Sequence, residues 1–342
     1  MRHQVCDAGG RCQWFYANPD ARLRPGVGVY RGFRSRAGTA QEHVVVPTGR
    51  VSLLIGFGGE LRLARTAAPG GAGTAGPAHR SVVSGLHTRA RVLGHRGDLH
   101  GIEVTLAPWA AYRLFGTSLR ELADTVTDPA DVLGGRVRDL AAALEATHDW
   151  RRRFALLDET LLRWSSEVAP EHEPSPAVLE AWRLLGLTAG TVPVRELADR
   201  TGWSLRHLEN RFREQIGLAP KSLARVLRLN RAIRELAAGE RAADTALACG
   251  FYDQSHLSRE FSAMTGLPPG RFLAAGNRTS AWLTGCRNGS PGPSGSTRSP
   301  GSLRSTGSTG ARFRPIPGTG PRVSLAANGP TGHGTSSSGA PS

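Results

Sequence analysis

The sequence predicts an α+β chain: a β-barrel-like N-terminal domain with helices following it, an all-α C-terminal domain built on one duplicated unit, and a disordered C-terminal tail. Three observations carry this reading. Short apolar runs separated by turn residues fill positions 25–106. From Pro108 onward the apolar residues recur at spacings of three and four instead. A pattern beginning at Ala198 is then written a second time from Ala246.

In the first half, the runs at 28–33, 43–46, 51–57, 60–65, 81–86, 90–94 and 101–106 are rich in Val, Leu and Ile. Breaks fall at Pro47, Thr48 and Gly49, at Gly58 and Gly59, and in a loop at 67–78. Short strands at such spacing argue for a small barrel or sandwich. Helices are predicted at 108–115, 135–146 and 150–168. In the last of these, Phe154, Leu157, Leu161, Leu162 and Trp164 share a stripe, leaving Arg151, Arg152, Asp158 and Glu159 to other faces. Such a stripe closes one end of the barrel, meets a second subunit, or is an ordinary core face. Pro170, Pro174 and Pro176 then make a stiff, exposed linker at 169–175. The first domain is accordingly 1–168, β-rich over 25–106 and helical over 108–168.

A helix at 176–185, with Val178, Trp182 and Leu185 on one side, opens the second domain. The first copy of the repeat reads Ala198, Gly202, Leu208, Phe212, Gly217, Pro220, and the second Ala246, Gly250, Leu257, Phe261, Gly266, Pro269. From the leucine onward the spacing is identical, and the front ends differ by one residue between Gly and Leu. A short helix at 194–200 ends at Gly202, which accepts positive φ without steric cost. Ser204 caps the next helix. Leu205, Leu208, Phe212 and Ile216 form its apolar stripe, while Arg206, Glu209, Asn210 and Arg213 occupy its other faces. In the second copy a helix at 241–248 supports a turn at Gly250, Phe251 and Tyr252. Asp253 caps a helix at 254–264 that turns Leu257 and Phe261 inward and leaves Gln254, Ser255, Ser258 and Arg259 outside.

A helix, a turn with Gly and a second helix with a polar outer face make a helix-turn-helix, whose second helix enters the DNA major groove. The units span 192–217 and 241–266 within a domain at 176–276. A helix at 222–238 joins them, with Leu223, Val226, Leu227, Leu229, Ile233 and Leu236 on a shared side and a stop at Gly239. At about 1.5 Å per residue that rod is on the order of 25 Å long. It suits two recognition helices set about one DNA turn, roughly 34 Å, apart.

Charge adds less to this reading than the total suggests. Of the net +15, residues 277–342 supply +7 from seven Arg and no acid, while 191–276 supply +4. The DNA-binding case therefore rests on pattern, and the Gly, Ser, Pro and Thr-rich tail at 277–342 reads as disordered. Four cysteines, Cys6, Cys12, Cys249 and Cys286, are too few and too scattered for a disulfide framework or a four-ligand zinc site. Cys249 reads as a small buried apolar residue. A reducing, cytoplasmic setting follows, and the lack of a long apolar run predicts no membrane association.

The repeat, together with Ala248, Cys249, Gly250, Phe251, Tyr252, Asp253, Gln254, Ser255, His256, Leu257, Ser258, Arg259, Glu260, Phe261 and then Gly266 and Pro269, resembles the AraC/XylS family of bacterial transcription regulators. The likeness covers about 176–276. It implies a double helix-turn-helix that binds double-stranded DNA in successive major-groove segments. Carried over by position, Arg206, Glu209, Asn210 and Arg213 belong to the first DNA-reading helix, and Gln254, Ser255, Ser258 and Arg259 to the second. Their chemistry suits the groove: Arg pairs with guanine, Asn or Gln with adenine, and Glu accepts from cytosine. His207 and His256 read as packing or capping residues.

The N-terminal half is similar to the sensory regions of actinobacterial members of the family, which implies a small-molecule effector of unidentified nature, a homodimer contact, or both. His79, His87, His95 and His100 lack the H-x-H pair of a cupin metal site, so no metal or other cofactor is expected. No catalytic site is expected either: the reactive Cys and zinc cysteines of repair methyltransferases that carry this unit are missing, as are phosphate loops, nucleophile elbows and H-E-x-x-H. The competing reading is a ligand-sensing or protein-interaction module whose DNA-binding half has degenerated; an enzyme fused to a helix-turn-helix domain ranks below it.

Overall fold

A computed structural model describes residues 1–5, 12–64 and 77–274. Cys6, Cys286, most of the 67–78 loop and the 277–342 tail lie outside the described residues. Among the described residues the N-terminal half is built on nine antiparallel strands: β1 (Arg2–Val5), β2 (Cys12–Ala17), β3 (Tyr30–Val45), β4 (Val51–Gly58), β5 (Leu61–Ala64), β6 (Ala78–His79), β7 (Val82–Ser84), β8 (Arg91–Leu106) and β9 (Val126–Thr127). They form one sheet in the order β1-β2-β3-β8-β4-β7-β9, with β5 on β8 and β6 on β5.

β8 is the axis of this sheet. One of its edges pairs with β3 along nearly the whole length, from Arg31 opposite Glu103 to Val45 opposite Arg91. The other edge is shared, with β4 pairing with the end near Leu106 and β5 with the end near Val92. The sequence pattern breaks both long strands in the middle, at 34–42 and 95–100, because Arg, Ser, Gly and Asp there read as turn residues. Cross-strand partners override that preference, as in the pairs Arg36 with Asp98 and Ala37 with Gly97. The sequence pattern does not predict β1, β2 and β9; they are short strands at the two ends of the sheet, β1 and β9 on its edges and β2 between β1 and β3.

Strand alternation gives the sheet two differently used faces. On one, Phe15, Tyr30, Leu53, Ile55, Ile102 and Val104 belong to the main core. On the other, Trp14, Phe33, Leu54, Leu61, Leu93 and Leu99 make a smaller cluster. Four helices follow: α1 (Pro108–Phe115), α2 (Pro129–Leu133), α3 (Arg136–Ala146) and α4 (Trp150–Ser166). Pro108 sits in the first turn of α1, where no amide donor is needed, and Gly116 closes it at φ +62°. Asp149 caps α4 by accepting from the Arg152 amide at 2.9 Å.

The α4 stripe resolves as an intramolecular core face: Phe154, Leu157, Leu161 and Trp164 are buried in the main core, with Leu162 partly buried beside them. Trp150 stacks on Phe15 at 4.3 Å and lies directly over Gly32, where a Cβ would stand 2.2 Å from the indole. Asp158 accepts from the Tyr30 hydroxyl and the Asp20 amide, both at 2.8 Å, which fixes α4 along the sheet.

The proline-rich run that follows is partly exposed and includes a 3-10 turn at Pro170–His172. It is also fastened to α1: Arg113 pairs with Glu173 at 2.9 Å, and the Tyr112 hydroxyl donates to the Glu171 carbonyl at 3.4 Å. Beyond it come α5 (Pro176–Leu187), α6 (Val194–Thr201), α7 (Leu205–Ile216), α8 (Pro220–Ala237), α9 (Ala242–Ala248), α10 (Gln254–Thr265) and α11 (Pro269–Ala274). The main core runs without interruption from the sheet through Phe115 and Leu119 into Val178, Leu208, Leu229 and Phe261. Among the described residues no helix is long and apolar enough to cross a membrane.

Candidate nucleic-acid interface

The two copies of the repeat fold into matching units. In the first, α6 ends at Gly202 with φ +69°, and the Trp203 amide donates to the Ala198 carbonyl at 3.2 Å. In the second, Gly250 takes φ +73° and the Phe251 amide donates to the Ala246 carbonyl at 2.9 Å. These bonds close the supporting helices in the same way and need a residue without Cβ strain at the turn. Ser204 Oγ then accepts from the His207 amide at 3.3 Å, and Asp253 Oδ1 accepts from the His256 amide at 2.6 Å. Each cap stands four residues before its core leucine, Leu208 or Leu257, both fully buried.

With Trp203 matched to Phe251 and Ser204 to Asp253, the extra residue of the second copy is Tyr252. It is 86% exposed in the turn, so the insertion is absorbed there and the helix register that follows is untouched. The histidines match too. His207 meets the Trp203 ring edge-to-face at 4.4 Å, and His256 meets Phe251 likewise at 5.5 Å. Both rings brace the turn, and His256 Nδ1 also accepts from the Tyr252 amide at 3.3 Å.

On α7, Leu208, Phe212 and Ile216 are buried as the stripe predicts, but Leu205 is 45% exposed. Its place in the first turn, directly after the cap, turns it away from the core. Arg206 and Asn210 are exposed, and Glu209 and Arg213 are half-buried and joined by a 3.3 Å ion pair. On α10, Gln254, Ser255 and Arg259 are exposed and Ser258 is half-buried, while Leu257, Phe261 and Met264 are buried. Counting from the core leucines, Arg206 corresponds to Ser255, Glu209 to Ser258 and Asn210 to Arg259.

α8 holds the units together. Its 18 residues bury Leu223, Ala224, Val226, Leu229, Ala232 and Leu236, with Leu227 and Ile233 only partly covered. Arg225 makes two bonds to the Glu260 carboxylate, at 2.7 and 3.2 Å, which tie α8 to α10. Arg228 donates to the Gly190 carbonyl at 3.0 Å and lies over the Phe251 ring. Cys249 is fully buried, and burial pushes its thiol pKa up, so it behaves as a small apolar group.

Contacts with the N-terminal half went unseen in the sequence. The Leu119 amide donates to the Glu214 carbonyl at 2.8 Å, and the Ala90 amide to the Met264 carbonyl at 2.7 Å, so the last turns of α7 and α10 both end on the sheet half. Gln215, fully buried, accepts from the Ser175 amide and donates to the Ser175 hydroxyl, both at 2.9 Å, which ties α7 to the start of α5. Only the pairing of a buried glutamine with a helix-start serine could have hinted at this last bond.

Comparison with known proteins agrees with this geometry. Residues 197–275 match the family described as Helix-turn-helix domain, and residues 16–128 match a Domain of unknown function (DUF6597). An uncharacterized HTH-type transcriptional regulator of Bacillus subtilis (strain 168), YbfI, is 37% identical over 108 residues, 30% of this chain; the chain spans 39% of that protein's length. Among solved structures, a transcriptional regulator with an AraC-type DNA-binding domain from Chromobacterium violaceum is 27% identical. It covers 33% of this chain and 96% of its own, with a TM-score of 0.28. ToxT from Vibrio cholerae O395 is 10% identical over 73% of this chain and 96% of its own, with a TM-score of 0.38. Over residues 197–275 this chain therefore carries a helix-turn-helix domain similar to that of known transcriptional regulators.

Proposed function

We propose that this protein is a cytoplasmic, sequence-specific DNA-binding transcription regulator that reads two adjacent major-groove segments with α7 and α10. The observation that carries the reading is the pair of matched units, each with a capped second helix and a polar outer face, set on one rigid helix. Arg206, Asn210, Gln254, Ser255 and Arg259 are exposed and chemically suited to base edges. Glu209 and Arg213 neutralise one another across 3.3 Å, so their part is to shape the surface or to exchange that pair for DNA contacts. Ser258, half-buried, suits a short contact to a phosphate or base edge.

In this reading, residues 1–168 form the regulatory part, 169–175 the joint and 176–276 the DNA-binding part. Regulation is favoured over a degenerate DNA-binding half by the bonds from Leu119 and Ala90 to the ends of α7 and α10. They let a change in the sheet half alter the setting of both recognition helices. A footprint of the full chain on host genomic fragments tests this. Protection of two neighbouring major-groove segments is expected, and protection of no fragment even at low salt would sink the proposal.

A further inference from the structure

The face of the sheet turned away from the helices is not uniformly apolar. Along β8, alternation points Ile102, Val104 and Leu106 into the main core and Glu103 and Thr105 to the opposite side. A cavity of about 50 Å³ lies on that side, walled by Val45, Leu54, Val82 and Leu93. Its polar lining includes the guanidinium groups of Arg50 and Arg91 and the imidazole of His87. Glu103 is the one carboxylate on the lining among the described residues, and both its oxygens are already engaged. Arg31 Nη2 donates to Oε2, and the Ser52 hydroxyl donates to Oε1 at 2.7 Å.

Two guanidinium groups thus face the cavity beside a carboxylate that is already engaged. Arg91 is buried and directs Nη1 to the Thr125 carbonyl at 2.9 Å. Arg50 has a buried Nη1 that lacks a hydrogen-bond partner among the described residues, while His87, 5% exposed, stands with Nδ1 3.5 Å from the Gly85 carbonyl. Burial, and then the charge of Arg91, push the His87 pKa down to about 4, so the ring is neutral near pH 7. A buried donor left open in this way, as at Arg50 Nη1, is costly unless something in the cavity completes it.

The geometry points to a binding site for a short aliphatic carboxylate, its head group held by the guanidinium groups of Arg50 and Arg91 and its carbon chain against Val45, Leu54, Val82 and Leu93. A guanidinium fork matches a carboxylate through two parallel bonds. An inorganic anion would leave the aliphatic wall without the apolar surface whose burial favours binding. One water needs on the order of 10–15 Å³ of such space, so the cavity takes about three to five heavy atoms, the size of acetate or propionate.

The loops that bring Arg50 and His87 to the cavity are also the loops that touch the DNA-binding half. Gly49 packs on α8, where a Cβ would stand 3.4 Å from Leu223 and 3.7 Å from Leu227. Ala90 bonds Met264 at the end of α10. An occupant is thus placed to bias both, a consequence that rests on the regulator reading above, whereas the site itself does not.

Calorimetric titration of the full chain with propionate, in the absence of DNA, tests the site. Saturable binding of one propionate per chain is expected, with the uncharged isostere propionamide at least ten-fold weaker. Arg50→Met should weaken propionate at least ten-fold, and Leu93→Phe, which fills the cavity and leaves the charges in place, should do the same. No saturable binding, equal binding of propionamide, or sulfate as tight as propionate overturns the proposal. Those three comparisons use the unaltered chain, so a variant that fails to fold does not obscure them. A chain that binds propionate but gives no footprint keeps the site and loses the regulator reading, and the reverse result does the opposite.

Discussion

The amide of Ala90 donates to the carbonyl of Met264 across 2.7 Å, so the turn entering the central strand β8 completes the last turn of α10. Helix ends leave carbonyls without intrahelical partners, and Met264 lies buried where water does not reach it. Ala90→Pro removes the donor and leaves that carbonyl unpaired, a loss of about 1–3 kcal/mol. Urea unfolding should report a fall of that size. Hydrogen exchange should quicken in the last turn of α10 before it does in α7, whose own anchor at Leu119 remains; unchanged exchange at 261–266 would show that the bond does not restrain the helix.

His87 gives the chain a defined response to acid. Burial first, and the charge of Arg91 second, lower its pKa from an ordinary 6.5 to about 4, while the unfolded chain keeps the ordinary value. Between those values the unfolded state binds a proton that the folded state does not, so stability rises with pH across the window. It is lost as pH falls from about 6.5 toward 4, by up to roughly 3 kcal/mol from this residue. His95 and His100 are also lowered, mainly by burial, and add to the slope in the same direction. The contribution of His87 is isolated by His87→Gln, whose unfolding free energy should vary less steeply with pH over the window than that of the unaltered chain. Parallel curves for the two proteins would mean that His87 does not titrate in this way.

Gly32 and Trp150 fit because one has no side chain and the other fills that space. A Cβ on Gly32 would stand 2.2 Å from Trp150 Cζ3, while the indole is stacked at 4.3 Å on Phe15, the cross-strand partner of Gly32. Gly32→Ala should therefore destabilise the chain by about 1–3 kcal/mol through overpacking. The same substitution in a Trp150→Leu background should cost less, with a coupling of about 0.5–3 kcal/mol in the double-mutant cycle. Additive effects would mean that the strain is taken up elsewhere in the sheet.

What the sequence disclosed and what it hid divide along local and non-local physics. The helix-turn-helix units are legible because their signals lie within a few residues: Gly202 and Gly250 at the turns, Ser204 and Asp253 at the caps, Leu and Phe four apart in the stripe. Even there, the stripe placed Leu205 inside, since periodicity does not register that a first-turn residue next to a cap faces outward. The long strands β3 and β8 were legible only at their apolar ends, because their polar middles are stabilised by partners some sixty residues away, such as Asp98 opposite Arg36. The lining of the cavity was invisible for the same reason: Arg50, His87 and Arg91 come from separate turns and strands, and only the fold of the sheet brings them to one place.

Asn210 and Arg259 occupy the same position in their units, two residues after the core leucine, and both are exposed. Their chemistry differs: asparagine is suited to adenine and arginine to the N7 and O6 acceptors of guanine. If α7 and α10 enter successive turns of the groove, the preferred operator is asymmetric, with adenine and guanine at corresponding places about one helical turn apart. Arg259→Ala should then weaken binding to the selected operator by about 1–3 kcal/mol and relax the preference at the guanine, while binding to random DNA stays nearly unchanged. Asn210→Arg should move the other preference toward guanine without altering the spacing. An equal loss on operator and random DNA for Arg259→Ala would assign that side chain to a phosphate, since such contacts carry no sequence information.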